Sequence, residues 1–247
     1  MVPLRDDNPT RITPYVTYGL IAINCLVFLF ESSLMGSPLL EQFLRTWSVV
    51  PAELTASFHG VPQYPLFQEV PTLITSQFLH AGLLHIGGNM LYLWIFGNNV
   101  EEQMGRVRFL VFYLLCGMLA ALTQWFFAPD SNIPSLGASG AIAGVMGAYI
   151  LRFPQVRILT LLPLFIFFTT IRLPAIVYLG VWFIQQALYG FASFNTPTMV
   201  GMEGGGIAYW AHAGGFVFGA GLGPLFGLFS KSAEPNGGLD VESPAGQ

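Results

Sequence analysis

Charge is what this chain has least of: Lys, Arg, Asp and Glu together make up 9% of its 247 residues. A soluble domain carries roughly 25%, so a solvated globular surface is excluded. No basic patch exists either, which removes nucleic acid as a partner. Cysteine is nearly absent: the two present, Cys25 and Cys116, lie inside apolar runs, so no disulfide framework is indicated. The four histidines form no H-E-x-x-H, which disfavours a zinc peptidase, and neither metal nor cofactor is expected. What remains is 53% hydrophobic residues with a mean hydropathy of +0.61, the composition of a polytopic membrane protein.

Residues 1–14 are mostly polar and hold Pro3, Pro9 and Pro14, which oppose a stable helix. No small-residue cleavage signature follows the first apolar run, so an uncleaved first span is expected over 15–34. Segment 39–50 has apolar residues at i, i+3 and i+4 (Leu39, Leu40, Phe43, Leu44, Trp47) and fits an amphipathic interfacial helix. Further spans are expected at 72–96, 109–127, 139–151, 173–189 and 207–229, with a hydrophilic loop at 97–108. Residues 156–172 are apolar but interrupted by Pro163, and read as a β-hairpin-like or interfacial segment. Loop 192–206 is expected to be mobile, and the Pro/Gly/Ser-rich tail 230–247 to be a disordered cytoplasmic segment.

Six spans place both termini on one side. Arg5, Arg11, Arg106, Arg108, Arg152, Arg157, Arg172 and Lys231 fall on that side and only Arg45 on the other. The positive-inside rule then makes both termini cytoplasmic. The fold class expected is an all-α, six-helix bundle with a fourth helix too short to span: about 13 residues reach about 20 Å against a hydrocarbon core of about 30 Å. Ser139 at its start would be sunk below the surface yet open to the extracytoplasmic side.

Polar groups inside a membrane are costly and mark either a function or an interhelical bond. His85 and Asn89, four apart, share a helix face, whereas His80 belongs to another. His212 lies about 8 Å below the outer end of the last span, a depth compatible with Ser139. Each has a plainer reading. Gly140, Gly144 and Ala148 form a small-residue face of the kind that lets two helices approach, and Asn89 could be a packing hydrogen bond. Gly215, Gly219 and Gly223 form a second such stripe, which would draw His212 towards Ser139.

A serine hydroxyl needs a base to become nucleophilic, and His212 is the candidate. No carboxylate falls in the last two spans, so a Ser–His dyad is favoured over a triad. The Ser139 N–H at a helix N-terminus, with His85 and Asn89, could bind an oxyanion. The G-x-S-x-G elbow of α/β-hydrolases is absent, because Ala141 holds its last position.

Three motifs in order, Gly137-Ala138-Ser139-Gly140, His80…His85-Ile86-Gly87-Gly88-Asn89 and Ala211-His212-Ala213-Gly214-Gly215, resemble those of the rhomboid intramembrane serine proteases. Glu101-Glu102-Gln103-Met104-Gly105-Arg106 is similar to that family's E-x-x-x-G-x loop. The resemblance covers about residues 15–229. It implies a six-helix rhomboid-like bundle in the cell membrane, with Ser139 as nucleophile and His212 as base. His85, Asn89, Ser139 and Gly140 would stabilise the oxyanion, with His80, Gly137 and Trp210 in support. It also implies single-pass or other transmembrane proteins as substrates, cut near their outer end, with loop 192–206 as a cap. A proteolytically inactive client-binding relative and a transporter are the alternatives. Ala143 stands where some members carry a tyrosine against the catalytic His, leaving Tyr209 or Trp210 to orient His212. The family's Trp-Arg pair in the first loop is not evident.

Overall fold

The computed structural model describes residues 1–164, 167–193 and 208–230; the expected cap 192–206 and tail 230–247 fall almost wholly outside these. The described residues form nine α-helices: α1 Tyr15–Ser33, α2 Pro38–Trp47, α3 Pro51–Phe58, α4 Leu66–Thr75, α5 Leu83–Met104, α6 Arg106–Phe127, α7 Ser139–Arg152, α8 Ala175–Ser193 and α9 Tyr209–Leu222. Three of the described helices, α1, α6 and α8, are long and apolar enough to cross a membrane.

The helix α7 is the hub. It has 14 residues, about 21 Å of rise, and Gly140 to Tyr149 are all buried. It packs against α5, α6 and, most extensively, α9. Glycine makes that seam close. A Cβ at Gly215 would stand 2.2 Å from the Gly140 carbonyl oxygen, and one at Gly219 2.0 Å from that of Gly144. The two backbones therefore touch, as small-residue faces permit.

The all-α expectation is corrected by a three-stranded antiparallel sheet, β1 Val2–Asp6, β2 Arg157–Leu164 and β3 Phe167–Pro174, in the order β1-β2-β3. The hairpin-like reading of 156–172 matches β2 and β3, which pair from Arg157–Pro174 to Leu164–Phe167. The N-terminal segment adds its own strand to that hairpin, with Val2 opposite Leu161 and Asp6 opposite Ile158. Proline-rich sequence that cannot hold a helix can still pair as an edge strand.

The expected second span, 72–96, is also revised. Residues 72–75 end α4, the chain breaks through a 3-10 turn (Ser76–Phe78), and α5 begins only at Leu83. The hydrophilic stretch 97–108 expected as a loop is instead the last part of α5 (97–104), the Gly105 turn and the first residues of α6. Two of its polar side chains, Asn99 and Glu101, are buried and bond to the N-terminal part of the chain. The Glu101 carboxylate accepts from the Val16 and Thr17 N–H groups (3.0 and 2.8 Å) and the Thr17 hydroxyl (2.7 Å), capping α1 from outside. Asn99 donates to the Asn8 carbonyl at 2.7 Å. Gly105, at φ +78°, turns the chain sharply into α6.

One end of the bundle gathers the basic side chains. Arg106 lies over the Tyr15 ring at 4.6 Å, Arg152 donates to Gln103 at 3.2 Å, and Arg172 faces Asp7 at 3.9 Å. The Tyr149 hydroxyl, near the end of α7, donates to Asp6 at 2.5 Å. At the other end Arg45 pairs with Glu53.

Candidate active site

The loop before α7 is held from two sides. Ser135 pairs with Val49 as an isolated bridge, and the Gly137 N–H donates to the Ser76 carbonyl at 2.8 Å. Gly137 itself has φ +118°, a conformation closed to L side chains, and any Cβ there would meet the His85 ring at 2.7 Å. The sequence Gly-Ala-Ser thus fixes Ser139 as the first residue of α7, where N–H groups lack an intrahelical acceptor.

Ser139 Oγ and His212 Nε2, on α7 and α9, are 2.7 Å apart. The glycine seam brings them there, since Gly140 follows Ser139 and Gly215 stands one turn beyond His212. On the far side of the imidazole, Nδ1 lies 2.8 Å from the Gln186 Oε1 of α8. The Trp182 ring, one turn earlier on α8, lies 5.7 Å from the His212 ring at 34°.

His85 and Asn89 reach the same place from α5. His85 Nδ1 accepts the Ala81 N–H at 3.4 Å. In a neutral ring this leaves the proton on Nε2, the atom nearest the position a Gly137 side chain would take. The Asn89 side-chain nitrogen approaches that same position at 3.7 Å and, although buried, has no acceptor among the described residues. The chain therefore offers a hydroxyl and an imidazole in contact, with the His85 and Asn89 donors beside Gly137, two residues before the serine. Such a set can attack a carbonyl carbon and hold the resulting oxyanion. A small cavity of about 20 Å³, roughly the room of one water, lies beside Ser139, lined by Gln77, Gly117, Ala120, Ser135, Gly137 and Ala211 among others.

Of the other residues expected at the site, His80 is buried with its ring edge-on to His85 at 5.1 Å. Its backbone N–H donates to both oxygens of Glu31 at 3.2 Å. Gly140 sits at the crossing of α7 with α6, where its Cβ would lie 2.6 Å from that of Ala120. Trp210 stacks on Phe127 at 3.9 Å and 18°, and Tyr209 packs on Tyr189 at 5.2 Å. Among the described ring contacts, the aromatic beside His212 is that of Trp182. Sequence reasoning missed both Trp182 and Gln186. Their i, i+4 spacing was the available signal, a polar amide one turn after an aromatic in an otherwise apolar helix.

A family model described as Rhomboid domain matches residues 68–229. The chain is 28% identical over 224 residues to Rhomboid protein 1, mitochondrial, of Saccharomyces cerevisiae, covering 89% of this chain and 54% of that protein. It is 43% identical over 76 residues to the Rhomboid protease GluP of Bacillus subtilis, 31% of this chain and 14% of that one. A third relative is the human presenilin-associated rhomboid-like protein, mitochondrial, 29% identical over 150 residues, which are 60% and 35% of the two chains. This chain spans about half, or less, of the length of these curated relatives.

Proposed function

The chain belongs to the rhomboid family, a membrane protein of largely helical fold, and from that premise we propose that it is an intramembrane serine endopeptidase. The observation that carries this reading is the 2.7 Å contact of Ser139 Oγ with His212 Nε2, between residues 73 apart in the chain. Ser139 Oγ attacks the carbonyl carbon of a substrate peptide bond while His212 Nε2 takes its proton. The oxyanion is received by the Ser139 N–H, with His85 Nε2–H and the Asn89 amide beside it. As the C–N bond breaks, His212 returns the proton to the leaving amine. Water then hydrolyses the acyl-enzyme with His212 again as base.

The substrates are transmembrane segments, cut near their outer end. A peptide bond inside an intact helix is shielded, so a strand-like or weakly helical segment has to reach a wet cavity within the bilayer. Six spans, α1, α5, α6, α7, α8 and α9, would carry this site. Helix α7, shorter than the hydrocarbon core, would start below the outer surface. The positive-inside rule, applied to the basic residues gathered at the opposite end, supports a cytoplasmic placement of that end and of both termini in a cell-membrane protein.

Purified protein in liposomes with a model transmembrane substrate tests the reading. Ser139→Ala and His212→Ala are each expected to abolish cleavage and fluorophosphonate labelling while the fold is kept. Cleavage retained in either overturns it. Substrate binding without cleavage by the unaltered chain favours a client-binding relative, and solute flux without cleavage favours a transporter.

A further inference from the structure

Gln186 is 8% exposed in the middle of α8, and its Oε1 lies 2.8 Å from His212 Nδ1. An amide oxygen carries lone pairs and no hydrogen, so this contact exists only if Nδ1 supplies the proton. A neutral imidazole has one N–H. With it committed to Gln186, Nε2 keeps its lone pair, and that atom faces Ser139 Oγ at 2.7 Å. We propose that Gln186 is the positioning residue of the dyad, holding His212 in the one tautomer that can accept the serine proton.

The proposal deepens the protease reading and rests on it. It also accounts for Ala143, a residue too small to hold the imidazole. Orientation comes from α8 instead, through an amide at the ring's Nδ1 edge and the Trp182 ring, 5.7 Å away and tilted by 34°. Both arise from one turn of α8, so a displacement of that turn by about 1 Å would break the Gln186 bond. Substrate entering past α8 therefore has to leave the turn from Trp182 to Gln186 in place. An amide differs from a triad carboxylate in that it fixes the tautomer without adding charge. Beside the imidazole a carboxylate would favour the imidazolium, which cannot act as base.

Other titratable groups on the surrounding helices are placed elsewhere or act weakly. His85 of α5 is the one that acts electrostatically on His212. Tyr178 of α8 is bonded to Tyr92 of α5 at 2.7 Å, and Tyr189 lies against Tyr209. Cys116 of α6 faces Gly144, and Tyr149 of α7 is tied to Asp6.

Two near-isosteric variants, Gln186→Met and Gln186→Glu, separate this role from packing. Turnover of the model substrate is measured against pH, alongside thermal stability. Gln186→Met keeps the volume and replaces the amide oxygen with a thioether that accepts only weakly; kcat is expected to fall about 100-fold with KM within about twofold. Gln186→Glu restores the acceptor with a charge. It is expected to recover kcat at alkaline pH, with the acid limb of the profile moved up by about one to three pH units. Wild-type kcat in Gln186→Met overturns the proposal. So does a Gln186→Glu variant that neither recovers nor shifts, since a packing role would treat the two alike. If His212→Ala also retains cleavage, the protease reading itself has failed; if only Gln186→Met is silent, this inference alone has.

Discussion

Adding one methyl group to the α7–α9 seam should disable the site without touching a reacting atom. A Cβ at Gly215 would stand 2.2 Å from the Gly140 carbonyl oxygen, itself part of a helix backbone. An unstrained carbon–oxygen contact needs about 3.3 Å, so Gly215→Ala has to push the helices apart by about 1 Å. Gly140 is bonded to Ser139, and Gly215 lies one turn from His212, so the opening is passed to the dyad. Its 2.7 Å separation would become about 3.7 Å, beyond hydrogen-bond range. Overpacking costs about 1–3 kcal/mol, and the better helix propensity of alanine returns about 1 kcal/mol. The net loss of stability is therefore small, while misplacing the base by about 1 Å costs about 100-fold in rate. Gly221→Ala is the control, because nothing lies within 4 Å of its added Cβ. The assay is kcat on the liposome substrate, with fluorophosphonate labelling of Ser139 and thermal unfolding of each variant. A Gly215→Ala protein turning over at more than half the wild-type rate would refute the view that backbone contact sets the dyad.

Two further outcomes concern the opposite end of the bundle. Glu101→Ala removes a fully buried carboxylate from three donors of α1 and should lower unfolding free energy by about 3 kcal/mol. Denaturant titration checks this, and Glu101→Gln should cost less because one acceptor oxygen stays. Burial pushes the Asp6 carboxyl up to about 6, against the Tyr149 bond, which acts to lower it. The folded value lies above the unfolded one of about 3.9. The stability Asp6 lends to β1 is thus complete below about pH 4 and lost as pH rises through about 6. A spin label at exposed Leu4 should become more mobile over that window, and Asp6→Asn should flatten the response; unchanged mobility would sink the account.

Much was legible in the residues because the membrane makes polar groups conspicuous. Ser139, His85, Asn89 and His212 stood out in apolar sequence; the structure sets Ser139 against His212 and His85 and Asn89 beside Gly137. Gln186 is as polar as they are, yet a lone amide in an apolar helix reads equally as a packing bond until its partner is known. The stretch 97–108 misled for the converse reason. Its charges suggested water, but Glu101 accepts from the start of α1 and the Asn99 amide donates to Asn8, which no local pattern reveals. Likewise β1 is a strand only because the hairpin offers it an edge.

By itself, the order of residues determined the apolar helices, the break that starts α7 at Ser139, and the small-residue stripes, since each depends on side chains within a few positions. The tertiary structure alone decided how far apart the stripes lie, which face of α8 meets His212, and where buried polar groups find partners. Those are contacts between segments tens of residues apart, and their ångström-scale distances come from packing.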